Sequence, residues 1–201
     1  PEHYRVGKVY AMIVFGLDID EFEYAYRLDG PYDPKKGLLF DKKNVLLDIY
    51  AKAVTGQSVW GRARKEGTFY KARVVRDVFD WGKDWNPLIP MEDLVIYELH
   101  VRGFTFAGLR EKIPYLKELG VNAVELMPIF EFDEMKDSRM VDGRQVVDYR
   151  GYNTVCFFAP NTSYAGHAEY NRDGTELKEL IKALNENGIE GILDVVFNHT
   201  A

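Results

Sequence analysis

The chain has 201 residues, of which 46% are apolar, 14% aromatic and 29% charged, and it carries a formal net charge of −6. This composition argues against disorder, and the length admits one large domain or two small ones. The acidic balance repels nucleic acid and anionic membranes, so neither is an expected partner, while neutral ligands stay open.

A single cysteine, Cys156, leaves no internal disulfide to form. That rules out a stapled secreted scaffold and fits the cytoplasm, the compartment expected here. The longest apolar run, Val9 to Leu17, is too short to span a bilayer, and no signal region opens the chain. It begins at Pro1 rather than Met, so a natural start upstream is expected.

In chain order, residues 1–90 are rich in Tyr, Val, Phe and Gly, with turn signals at short intervals. Val9–Phe15, Phe22–Leu28 and Thr68–Val75 read as strands, and Asp29-Gly30-Pro31 ends the second of them. No helical period precedes Asp80. These features predict a small β-sandwich module. Trp81 to Pro90, with Trp81, Trp85, Pro87 and Pro90, reads as a linker packed against something else.

Residues 91–201 alternate between two periods. Leu94–Leu99 is a short apolar strand. Leu109, Ile113, Leu116 and Leu119 then recur at helical spacing up to a Gly120 cap, with Pro114 splitting the stretch in two. Val121–Met127 is a second strand, and a long segment, Pro128 to Arg172, comes next. Asp173 as N-cap and Glu176 as its capping-box partner open a helix with Leu177, Leu180, Ile181 and Leu184 on one face and Gly188 at its end. Ile189–Phe197 is the third strand, with Asp194 in its middle. Apolar strands alternating with helices predict a parallel sheet covered by helices.

In such a sheet, functional residues collect at the carboxyl ends of the strands. Here the strands run into His100-Val101-Arg102-Gly103-Phe104-Thr105, into Pro128-Ile129-Phe130-Glu131-Phe132, and into Asn198-His199-Thr200. Polar residues at those places also cap strands and bind backbone, so position alone leaves their role open.

Three stretches of the chain resemble motifs of the α-amylase superfamily. Asp194-Val195-Val196-Phe197-Asn198-His199-Thr200 resembles its third-strand region. Gly151-Tyr152-Asn153-Thr154-Val155-Cys156-Phe157-Phe158-Ala159-Pro160 resembles the segment before that strand. Ile96 to Thr105 is similar to the first barrel strand of isoamylases and bacterial glycogen-debranching enzymes. The motifs stand in the family's order and spacing, and the β-rich front resembles the starch-binding-type sandwich that precedes the barrel.

The resemblance implies a mixed fold. Residues 1–90 would be a β-sandwich carbohydrate-binding-type module with linker, lacking its first strands. Residues 91–201 would be the first three βα units of a (β/α)8 barrel, left incomplete because a whole barrel takes eight strands and about 250 residues. It implies a retaining glycoside hydrolase acting on α-1,6 branch linkages of glycogen, limit dextrin or related α-glucans, with the rest of its own barrel as partner. Tyr152 would stack on the sugar at the cleavage subsite, Asp194 and His199 would lie at its floor, and His199 would donate to a sugar hydroxyl. Asn198 matches a calcium position of α-amylases. Debranching relatives commonly lack that ion, so no cofactor is expected. A structural role for each of these side chains stays open.

The family's nucleophile and acid come after later strands, and no position here matches either one. The chain alone is therefore expected to be inactive. Arg150 stands where relatives often carry Trp, and Thr105-Phe106-Ala107-Gly108 is abrupt where relatives carry a longer loop, so residues are expected to be missing there. Competing readings are a pullulanase, a trehalose-releasing hydrolase, or a non-catalytic α-glucan-binding protein using Trp60, Tyr70 and Trp81. Each of those three aromatics reads more readily as core or domain interface.

Overall fold

The computed structural model of the chain describes residues 2–55, 60–63, 69–76, 78–83, 86–166 and 174–199. Thr68, Trp85, Arg172, Asp173 and Thr200 lie outside the described residues.

Up to residue 90 the described strands are two residues long. Arg5–Val6 pairs with Val9–Tyr10, Tyr32–Asp33 pairs with Leu38–Leu39, and Glu23–Tyr24 and Ala53–Val54 both pair with Ala72–Arg73, all antiparallel. The expected strands thus shrink. Val9–Phe15 keeps only Val9–Tyr10, and Phe22–Leu28 keeps Glu23–Tyr24 plus a single bridge from Tyr26 to Leu46. Ile13 and Phe15 are 80% and 86% exposed, so no buried face holds that stretch in a ladder. Ala51, Val54 and Ala72 form a small core with Cys156 and Ala159, so residues beyond 150 complete the packing of the front half. Cys156 is buried, and burial pushes its thiol pKa up, as suits an inert side chain.

From residue 91 on, the predicted alternation is present. Strand β1 (Ile96–Leu99) is followed by the short helices α1 (Phe106–Arg110) and α2 (Ile113–Glu118), then by strand β2 (Ala123–Leu126). The break between the helices places Pro114 in the first turn of α2, where its missing N–H costs nothing. Gly120 adopts φ +77°. Its N–H reaches Lys117 O and that of Val121 reaches Leu116 O, which closes α2 with a Schellman motif.

Strands β3 (Phe130–Phe132), β4 (Arg139–Val141), β5 (Arg144–Val146) and β6 (Thr154–Pro160) occupy the long middle segment. β3 pairs antiparallel with β6, and β4 with β5. The β4–β5 turn is Asp142-Gly143, with φ of 49° and 74° at its two central residues. Sequence reading passes over this hairpin, although an Asp-Gly pair is the residue signal for such a turn.

Helix α3 (Thr175–Glu186) and strand β7 (Glu190–Leu193) complete the pattern. Leu180 and Leu184 are fully buried, and Gly188, at φ +73°, ends α3 as expected. The Glu176 carboxylate, expected in a capping box, accepts from Gly166 N at 2.8 Å. β7, β2 and β1 form one parallel sheet in that order. Val124 and Leu126 face the helices and are fully buried with Leu109, Leu116, Leu180 and Leu184. The third strand is shorter than Ile189–Phe197 predicts, and Asp194 lies just past its end rather than within it. The last ladder bond is Asp194 N to Leu126 O. Beyond Met127 comes Pro128, which has no N–H to extend β2.

Both outer strands leave apolar side chains in solvent, with Ile96 48% and Leu193 41% exposed, and Phe197, beyond the end of β7, is 73% exposed. Unpaired strand edges beside apolar surface recruit further strands. The 201-residue chain made alone is expected to form dimers or larger species at about 10 μM, in the range where such surfaces associate. Multi-angle light scattering checks this, and a clean stable monomer contradicts it.

Candidate functional site

The parallel register fixes where the site lies. Leu99, Leu126 and Leu193 stand in one row across the sheet, so the three strands end at a common level. Met127 N donates to Leu99 O and Asp194 N to Leu126 O, each at 3.0 Å, and these bonds carry the ladder one residue further. The segments that leave the three strands therefore emerge side by side. On the face turned away from the helices, Glu98 sits directly opposite Glu125.

Tyr152 reaches this level from the loop before β6. Gly151 delivers it at φ +83°, and a Cβ on Gly151 would lie 2.7 Å from the Phe132 ring, so only glycine fits there. The Tyr152 hydroxyl donates to Asp194 Oδ2. That bond, with burial second, pushes the Tyr152 pKa up to about 12. Asp194, which needs a partner to leave water, thus has one from the other motif.

His199 lies on the same side. Its Nδ1 is 2.7 Å from Asn198 Oδ1 and its Nε2 is 3.2 Å from Asn153 Oδ1, while Asn153 Nδ2 donates to Asp137 Oδ2 at 3.2 Å. The structure therefore links Tyr152 to Asp194 and His199 to the residue after Tyr152. Sequence reasoning missed Asn153 and Asp137. Asn153 adjoins a chosen residue, but nothing in the spacing marks Asp137.

A second cluster stands beside the end of β1. His100 Nδ1 accepts from Arg102 N at 3.0 Å, and its ring packs against Tyr149 and Tyr164, with centroids at 4.4 and 5.7 Å. Burial, foremost, holds the His100 pKa below the ordinary histidine value. Trp60 packs against Phe132, Tyr149 and Tyr164, and the Arg102 guanidinium lies 3.5 Å from its ring centre. Gly61 N donates to the buried Glu134 at 3.0 Å, and burial pushes that carboxyl's pKa up. Trp60 is thus packed into the barrel-side cluster. Trp81 stays 43% exposed against Phe79, and the Tyr70 hydroxyl lies 3.5 Å from Phe132 O.

Among the described residues no group of three or more His, Cys, Asp or Glu side chains is placed to hold a metal ion. Asn198, the calcium-position match, turns its side-chain oxygen to His199.

With this geometry in place, residues 92–201 match the family model of the α-amylase catalytic domain. The chain belongs to the α-amylase family. It is 42% identical over 218 residues to the chloroplastic isoamylase 3 of Oryza sativa subsp. japonica, covering 98% of this chain and 28% of that protein. It is 36% identical over 205 residues to a glycogen debranching enzyme of Yersinia enterocolitica, covering 89% of this chain and 30% of that one. Among solved structures, the pullulanase of Paenibacillus barengoltzii in complex with maltohexaose and α-cyclodextrin matches 78% of this chain and 27% of its own, at 27% identity and TM-score 0.60. The chain spans less than a third of the length of these relatives. Its parallel βα unit is thus shared with α-amylase-family barrel enzymes, and among the described residues no helix is long and apolar enough to cross a membrane.

The Tyr152–Asp194 bond has a pH consequence. Because the folded pKa is raised, the bond stabilises fully below the ordinary tyrosine value of 10.0 and is lost as pH rises through about 12. The phenolate absorbance titration of wild type minus that of Tyr152→Phe is expected to show one group with its midpoint near 12. A difference titrating at the ordinary value contradicts the bond.

Proposed function

We propose that this chain is the front part of a retaining glycoside hydrolase that cleaves α-1,6 branch linkages of glycogen, limit dextrin or a related α-glucan. Residues 1–90 act as the β-sandwich module that precedes the barrel, and residues 91–201 as its first three βα units. The observation that carries this reading is the hydrogen bond from Tyr152 to Asp194, two residues 42 positions apart that meet at the carboxyl ends of the parallel strands. The names of the relatives, isoamylase, glycogen debranching enzyme and pullulanase, support the substrate class.

In this reading Tyr152 offers its ring to the sugar at the cleavage subsite, while its hydroxyl is held by Asp194. That bond fixes the ring's angle. His199 donates to a hydroxyl of the reacting sugar. That sugar flattens and gains positive charge in an oxocarbenium-like transition state, so bonds to its hydroxyls strengthen there. A retaining hydrolase also needs a nucleophile and an acid about 5–5.5 Å apart. No residue of this chain matches either position of the family, so both come from the remainder of the barrel.

The 201-residue chain alone is expected to release no reducing ends from glycogen or pullulan above background, and sustained release tracking the purified protein contradicts this. In the full-length enzyme, His199→Ala lowers kcat and kcat/KM together by about a hundredfold, roughly 3 kcal/mol by comparison with other transition-state donors, and leaves KM little changed. Tyr152→Ala differs, since a stacking platform holds the sugar in both states and part of its loss appears in KM. Steady-state kinetics on a branched glucan, with folding checked by circular dichroism, separates the two. A folded His199→Ala enzyme with wild-type kcat overturns the assignment.

A further inference from the structure

We infer that Trp60 is a positioning residue, which reaches across from the front half of the chain and sets where Tyr152 meets the substrate. This rests on the proposed function, in which the Tyr152 ring is the stacking platform. Trp60 acts on that ring through Phe132 and Tyr149.

Tyr152 stands outside the ladders. β6 begins only at Thr154, so strand pairing does not fix the loop that carries Tyr152. Within the loop, Asp148 Oδ1 accepts from Arg150 N at 3.1 Å and from Gly151 N at 3.4 Å. Those bonds shape a turn without anchoring it. The anchors come from elsewhere. Asp148 N donates to Glu134 O at 2.9 Å, the Tyr149 ring packs on both His100 and Trp60, and Gly151 lies against the Phe132 ring.

These anchors lead to Trp60 and its neighbour. The Trp60 ring stands edge-on to Phe132, with centroids 5.7 Å apart, and to Tyr149, at 6.1 Å. Gly61 N donates at 3.0 Å to the carboxyl of the fully buried Glu134, the residue whose carbonyl holds Asp148. The Arg102 guanidinium, 3.5 Å from the Trp60 ring centre, lies over the indole and holds it in turn. Two consecutive residues of the front half thus hold the loop at Asp148, Tyr149 and Gly151, immediately before Tyr152.

Without the indole, Phe132 and Tyr149 gain space to move into, because a core relaxes partway around a lost side chain. Gly151 then loses the surface that it turns against, and Tyr152 leaves its place beside Asp194. A shift of about 1 Å in a group that positions substrate can cost about a hundredfold in rate.

The test uses the full-length enzyme. Trp60→Ala is expected to lower kcat/KM about tenfold, part of it as a higher KM, the same split as Tyr152→Ala. Trp60→Phe keeps a flat ring against Phe132 and Tyr149 and is expected to stay within about threefold of wild type. In a Tyr152→Ala background, Trp60→Ala is expected to cost less than about twofold more, since both changes remove the same platform. The phenolate difference titration reads the position of Tyr152 without reference to turnover. Its midpoint is expected to fall from about 12 towards 10.0 in Trp60→Ala and to hold in Trp60→Phe. Tyr24→Phe removes a bond to Asp48 within the front half and leaves the loop alone, so it is expected to keep wild-type kinetics and midpoint.

If Trp60→Ala does not fold, Trp60→Leu, which keeps apolar bulk without a flat ring, is read in its place against the same outcomes. Fully additive losses in the Tyr152→Ala background, or a midpoint that stays near 12 without the indole, overturn the positioning role. If Tyr152→Ala itself keeps wild-type kinetics, the functional reading fails, and the midpoint alone then decides whether Trp60 holds Tyr152.

Discussion

The register of one strand governs the rest. β2 is hydrogen-bonded to β1 on one side and β7 on the other, and its Ala123, Val124 and Leu126 are fully buried. A slip of one residue would turn Val124 and Leu126 to the opposite face and bring Glu125 under the helices, where an unpaired carboxylate is costly. Burial therefore holds the register. The register in turn sets Leu99, Leu126 and Leu193 level, and only then do His100, Met127 and Asp194 leave the sheet at one height. The meeting of Tyr152 with Asp194 depends on that height.

The loop between β2 and α3 brings in what the strands do not supply. β3 and β6 form an antiparallel arm whose Phe132 excludes any side chain at position 151, so the chain there turns tightly and presents Tyr152. The other face of the same arm, through Cys156 and Ala159, packs on Ala51, Val54 and Ala72 of the front half. Trp60, from the front half, fills the space among Phe132, Tyr149 and Tyr164 and carries Arg102 on its face. The front half thus reaches into the wall next to the site, and a boundary drawn at residue 90 cuts through shared packing. Removing residues 1–90 would expose that wall and loosen the arm that carries Tyr152.

Where a residue carries a strong local constraint, the sequence is legible. Gly120 and Gly188 end their helices where periodicity places them, because the left-handed cap costs glycine little. Pro114 splits α1 from α2 because it belongs in a first turn. The motif resemblance singled out Tyr152, Asp194 and His199, but it put Asp194 inside the third strand, which in fact ends one residue earlier. The strand limits were less so: β7 stops at Leu193 because Pro128 leaves its neighbour without a donor, and an apolar run cannot show the absence of a partner. The front strands shortened for a similar reason, since Val9–Phe15 has β-forming side chains but no buried face. Asn153, Asp137 and the Trp60–Arg102 contact depend on tertiary proximity across tens of residues, and no local pattern encodes them.

In the proposed reading, Tyr152, Asp194 and His199 meet the sugar at the point of cleavage, and the rest of the proposal depends on it. The most direct measurement is a crystal structure of the full-length enzyme with a branched maltooligosaccharide bound. The expected result is a glucosyl ring stacked on Tyr152, with one of its hydroxyls within hydrogen-bond distance of His199 Nε2 and the Tyr152–Asp194 bond intact beneath it. A sugar bound across the cleavage point with no contact to Tyr152 or His199 would contradict it.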